Sequence, residues 1–147
     1  MMRHLAACIC FLSLLTACSP DAEELSFDPQ CGAPIRIVDA LVEIQTDDYR
    51  LLELRVDGRC MLVRIAATGC SAADFAMDLV TRGEVKESSP TLTSARLIFD
   101  DGKDEEDVTC QAEQERTFSF DLQPYLTAES LPTELTLIGL DTTLLIE

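Results

Sequence analysis

The chain has 147 residues, with 27 Asp and Glu against 11 Lys and Arg, a net charge of −16, and one histidine, His4. The acid excess argues against nucleic acid as a partner, because phosphate binding needs a basic stripe, and against docking flat on anionic lipid. A lone histidine at the extreme N-terminus leaves the body of the chain without the residue needed for Ser-His-Asp or Cys-His catalysis and for His-ligated zinc, copper or iron.

In chain order, Arg3 and His4 head an apolar run from Leu5 to Ala17, which ends in Leu15-Thr16-Ala17-Cys18. A charged end, a short apolar body and small residues at the cut make a secretory signal, and the run is too short for a transmembrane helix of about 20 residues. Its ending resembles the lipobox of bacterial lipoproteins. The resemblance implies removal of residues 1–17, a lipid on Cys18 and attachment of the mature chain to the membrane. The mature chain, 18–147, has 130 residues, ten Lys and Arg, and all 27 acids, net −17. Its acidity fits a repulsive, soluble surface. Other readings are a saline habitat, since Lys86 and Lys103 are the only lysines, or calcium.

Residues 18–30 are polar, acidic and broken by Pro20 and Pro29, the composition of a tether. In the lipoprotein family Asp after the lipidated cysteine retains the protein at the inner membrane. Ser19 stands there, which implies the outer membrane of a Gram-negative host. Asp21, Glu23 and Glu24 resemble the acidic tags of surface-exported lipoproteins, or form an ordinary solvated linker.

From Cys31 to Glu147 the apolar period is mostly two, the period of strands. Ile35 and Ile37 share a face, and Val38, Ala40, Val42 and Ile44 take the opposite phase, which predicts a bulge near Ile37. Leu52, Leu54 and Val56 lead to Asp57-Gly58, a hairpin signal, and then to Met61, Val63 and Ile65. Phe75, Met77 and Leu79 make the next inward set, followed by Ala95, Leu97 and Phe99, a strand over Val108–Ala112, the alternating Phe118-Ser-Phe-Asp-Leu122, and Leu135, Leu137, Leu144 and Ile146. Pro124 and Pro132 bracket a connection. About seven or eight strands without βαβ spacing predict an all-β antiparallel β-sandwich, immunoglobulin-like in general type. A small closed barrel is the alternative. The absence of Trp separates the chain from immunoglobulin domains proper.

Four cysteines remain after Cys8, Cys10 and Cys18 are assigned to signal and lipid: Cys31, Cys60, Cys70 and Cys110. An even set in an exported domain predicts two disulfides. Cys60 opens a strand that carries the chain roughly 20 Å before Cys70, whereas bridged Cα atoms lie within about 7 Å. This leaves 31–60 with 70–110, whose loops are shorter and do not cross, or 31–70 with 60–110. Segments including Cys60-Met-Leu-Val-Arg, Thr68-Gly-Cys70, Arg96-Leu-Ile-Phe, Cys110-Gln-Ala and Phe118-Ser-Phe-Asp-Leu resemble an uncharacterised group of bacterial secreted proteins. Their pattern has a Gly-Gly-Cys-x-x-His turn; here Thr68 replaces the first Gly and no His follows Cys70. That resemblance implies no known activity, and it implies the pairing of Cys70 with Cys110.

No phosphate-cradling glycine loop is present, and two cysteine pairs leave no free thiol for catalysis. Paired carboxylates of the glycosidase kind are not singled out, and aromatic platforms for sugar are scarce. The expectation is a non-enzyme. The acidic loop 100–107 offers a calcium set of Asp100, Asp101, Asp104, Glu105 and Asp107, though it lacks the EF-hand spacing and carries Lys103 at its centre. The same loop also reads as solvated charge that guards strand edges. Leu62, Ile98 and Ile138 fall out of phase with their inward sets and would form an apolar patch if they shared one sheet. The leading expectation is a non-catalytic accessory or scaffold lipoprotein of the cell envelope. The alternative is a module that binds calcium or glycan at the acidic loop or a sheet face. A third is an acidic inhibitor or immunity-type protein with a basic partner.

Overall fold

The computed structural model describes residues 31–41, 43–103 and 110–147. The signal, Cys18, the expected tether 18–30, Val42 and residues 104–109 lie outside them. Nine strands run through the described residues: β1 (Ala33–Pro34), β2 (Arg36–Ile37), β3 (Arg50–Asp57), β4 (Cys60–Thr68), β5 (Ala76–Lys86), β6 (Thr91–Asp100), β7 (Glu113–Asp121), β8 (Thr133–Leu137) and β9 (Thr142–Ile146). They form a four-stranded sheet, β1-β7-β4-β3, and a five-stranded sheet, β2-β5-β6-β8-β9. Both sheets are open, so the sandwich expectation holds and the barrel does not.

The period-two alternation puts Met61, Val63 and Ile65 of β4 at zero exposure with Arg64 outside. Leu79, Ala95, Leu97, Phe99, Phe120, Leu135, Leu137 and Ile146 meet them between the sheets. Asp57 pairs with Cys60 around Gly58 at φ +58°, the two-residue hairpin that the Asp-Gly pair predicts. Phe75 packs edge-on to Phe99 with ring centroids 5.2 Å apart. Tyr49 meets the same ring at 5.7 Å.

Cys31 is bonded to Cys60 and Cys70 to Cys110, with Cα separations of 5.4 and 4.9 Å. The first bridge ties the chain entering the domain to the head of β4. The second ties the end of β4 to the approach to β7. β4 is thus held covalently at both ends, to the entering chain at one and to the approach to β7 at the other.

Four expectations need correction. The sheets are mixed rather than antiparallel: β1–β7, β2–β5 and β6–β8 pair in parallel. Alternation fixes which face a residue takes and carries no information on strand direction. Residues 38–41 and 43–49 form no strand, and Ile37 is 63% exposed while Ile35 is buried. In place of a bulge, the chain changes sheets at Ile35, between β1 in one sheet and β2 in the other. Leu51 rather than Leu52 packs on the core, because a bulge between Leu51 and Glu53 resets the phase. Cys110–Ala112 is not a strand, and β7 begins at Glu113; the disulfide occupies the approach to it.

Candidate binding groove

After β2 the chain leaves the sheet. The Val38 amide donates to the Thr81 carbonyl, and residues 39–41 and 43–45 then lie over the outer face of the five-stranded sheet as a strap. Arg96, on the outer face of β6, donates through Nη1 to the carbonyls of Leu41 and Ile44 at 2.8 and 2.9 Å. β8 pairs only with Thr91–Ala95, so the rest of that edge of β6 is open to another partner. Thr46 and Asp47 take it: the Phe99 amide donates to Thr46 Oγ1, and the Asp47 amide donates to the Phe99 carbonyl. Leu41 and Val80 are buried on this outer side, apart from the inter-sheet core. Arg96→Met is expected to cost about 1–2 kcal/mol and to speed amide exchange across 38–47 more than in β4. Exchange read by mass spectrometry checks it.

β5 bulges where it passes the strap. Thr81 pairs with Ala95 and Val85 with Thr93, so Arg82, Gly83 and Glu84 stand opposite Ser94 alone. Gly83 takes φ +77°, which a side chain would resist. The bulge is held from the core side: Thr81 Oγ1 donates to the Ser94 carbonyl, and both Thr93 Oγ1 and Tyr125 Oη donate to the Glu84 carbonyl. Its outward residues, Arg82 and Glu84, lie 3.2 Å apart in an exposed ion pair.

Strap, bulge and the ends of β6 and β8 enclose an open groove of about 590 Å³. Leu41, Leu92 and Ile138 give it apolar surface, Arg82 and Lys86 give it cations, and Thr136 a hydroxyl. Asp39, Glu43 and Glu84 add acids. Leu92 and Ile138 are 40% and 37% exposed, and apolar side chains open to water beside mixed charge suit an amphipathic ligand. The groove was not legible beforehand, because a strap with strand-like alternation hides its role. Gly83 within a Thr-Arg-Gly-Glu stretch was the available signal, since an isolated strand glycine marks a bulge.

The two tyrosines of the chain brace this region, and burial raises both phenol pKa values. Arg96 partly offsets the effect at Tyr49, and the Thr81 hydrogen bond does so at Tyr125. A raised folded pKa favours the protonated phenol. Its contribution to stability is therefore complete below about pH 10 and is lost as pH rises through the higher folded values. Phenolate absorbance should show no tyrosine titrating at the ordinary midpoint in the native protein, and both doing so in denaturant.

Of the expected calcium set, Asp100 and Asp101 are described, and Asp104, Glu105 and Asp107 lie outside the described residues. The structure adds Asp47, from the segment ahead of β3. The carboxylates of Asp47, Asp100 and Asp101 lie within 4.8 Å of one another. Their oxygens already have donors: Asp47 accepts from the Asp101 amide, Asp100 from the Gly102 amide, and Asp101 from the Lys103 amide. Lys103 Nζ sits 2.8 Å from Asp101 Oδ2 and also donates to the Thr68 carbonyl. The hydrogen bond from Lys103 Nζ to Asp101 Oδ2 leads in holding the Asp101 carboxyl below its ordinary pKa, against a smaller opposing effect of burial. The apolar patch does not form as one surface. Leu62 lies on β4 in the four-stranded sheet, whereas Ile98 and Ile138 belong to the five-stranded side.

No protein-family model and no curated protein matches the chain. Among solved structures it is similar to a Bacteroides vulgatus ATCC 8482 protein of unknown function, DUF1344, with TM-score 0.51 and 13% identity over 78% of this chain and 57% of that one. It is also similar to a Bacteroides fragilis NCTC 9343 protein named "Putative lipoprotein", with TM-score 0.50 and 10% identity over 79% and 70%. A NigD-like immunity protein from Bacteroides caccae ATCC 43185 gives TM-score 0.49 and 13% identity over 78% and 58%. The chain thus spans less than two thirds of the first of these, and at such identities the likeness is one of fold.

Proposed function

We propose that the protein is a non-catalytic, lipid-anchored component of the bacterial cell envelope that holds a partner protein in the groove beside the strap. The observation that carries this reading is the groove itself. It is an opening lined by both apolar and charged side chains, its strap fixed by Arg96 and its bulge by Thr81, Thr93 and Tyr125. The lipobox-like ending at Cys18 supports the membrane attachment, and Ser19 supports the outer membrane. The fold shared with a lipoprotein-named protein agrees with an exported setting. The test is photo-crosslinking in cells from Leu92 and Thr136, with Arg55 on the opposite sheet as control. One envelope protein captured from the groove positions alone supports the proposal. Capture spread equally over all three, or hydrolytic turnover by purified protein, rejects it. Cys18→Ala should move the protein from the membrane to the soluble fraction.

A second reading, calcium at the loop end, is favoured by the Asp47–Asp100–Asp101 cluster. Lys103 opposes it by supplying a cation to the same oxygens. If calcium binds, about 1 mM raises the melting temperature, and Asp47→Asn with Asp100→Asn abolishes the rise. An unchanged melting temperature in the parent protein removes this reading.

A further inference from the structure

The edges of the two sheets are not equally protected. β1 and β2 are two residues long, and β1 contains Pro34. β3 carries Arg50, Glu53, Arg55 and Asp57 along its eight residues. Short strands, proline and alternating charge all discourage a further strand from pairing. β9, Thr142-Thr-Leu-Leu-Ile146, has none of these features. It pairs with β8 on one side, and among the described residues no strand covers the other.

The surface beside that edge is apolar at its centre and acidic around it. Leu145 is 55% exposed, and its partner across the ladder is Glu134, which also pairs with Leu92. Asp141 precedes β9 and Glu147 follows it. From Thr117 to Glu147 the chain has five Asp and Glu and no Lys or Arg. A second copy is a poor occupant, because antiparallel pairing of two β9 strands sets Asp141 against Glu147 at both ends. A strand with an uncharged alternating centre and cationic ends satisfies the free amides and carbonyls, covers Leu145 and neutralises the flanking carboxylates.

We propose that β9 is an acceptor edge for an extended, basic-flanked segment of another protein, which adds as a sixth strand to the five-stranded sheet. This edge adjoins the groove through the Leu92–Glu134–Leu145 and Thr136–Thr143 pairs, but it is the far rim of the sheet and its pairing does not depend on the groove holding a partner.

The probe is the synthetic peptide Lys-Val-Thr-Val-Thr-Val-Lys, titrated against the mature protein and read by amide exchange and by affinity. The expected result is slowed exchange in 142–146, binding that weakens with salt, and no comparable binding of Glu-Val-Thr-Val-Thr-Val-Glu. Leu145→Lys, at an exposed position that leaves the core intact, should lower affinity about tenfold with an unchanged melting temperature. Equal binding of the two peptides, equal binding to Leu145→Lys, protection confined to another edge, or dimerisation of the free protein through β9 each overturns the proposal.

Discussion

Replacing Cys31 and Cys60 together with alanine is expected to lower the unfolding free energy by about 3.5 kcal/mol, and replacing Cys70 and Cys110 by about 4 kcal/mol. The bridges close loops spanning 29 and 40 residues, and the longer loop removes slightly more freedom from the unfolded chain. A single domain is stable by only about 5–15 kcal/mol, so either loss is a large share. The order is physical as well as numerical. Cys31 is joined to a two-residue strand that few contacts would otherwise hold, whereas Cys70–Cys110 closes over β5 and β6. Urea unfolding of the oxidised protein and both double variants measures these values. A loss below about 1 kcal/mol for either pair would show that the unfolded chain is already restricted by other means.

Phe99→Ala is expected to cost about 3–5 kcal/mol. The ring is 1% exposed and lies against the rings of Phe75 and Tyr49, so truncation leaves a cavity that two large neighbours cannot fill without moving. The hydrogen bonds to Thr46 and Asp47 use the Phe99 backbone and survive in the variant. Tyr49 therefore stays in place but gains access to water, and its phenol pKa should fall towards the ordinary value. Phe118→Ala is the comparison. Phe118 is half-buried with Arg116 over its face at 5.1 Å, and its loss should cost less than half as much. Equal costs would mean that the aromatic cluster is not a centre of the core.

The alternation of β4, β6 and β7 made the sandwich legible, because a half-buried strand must place every second residue inside. Met61, Val63, Ile65, Ala95, Leu97, Phe99 and Phe120 all lie where that pattern puts them. The disulfides were legible to two alternatives from geometry and settled by resemblance for Cys70 and Cys110. The Val38–Ile44 stretch was misread for the same reason that β4 was read well. Alternation records only that a segment contacts an apolar surface on one side, and there, among the described residues, Leu41 alone is buried, on the wrong side of the sheet. The groove follows from that segment, so it was hidden with it. Asp47 joins Asp100 and Asp101 across the fold from a distance no spacing rule covers.

The two bridges also decide how the domain responds when pulled by its ends. Tension entering at Cys31 passes through sulfur to Cys60, along β4 to Cys70, through sulfur again to Cys110, and on through β7, β8 and β9. The strap lies inside the first covalent loop, and β5 and β6 lie inside the second. Under the proposed anchoring through Cys18, tension between the anchor and the C-terminal strands therefore bypasses most of the groove wall, including Leu41, Arg82, Lys86 and Leu92, and falls on β4 and β7. Reduction would place those same residues in the line of force.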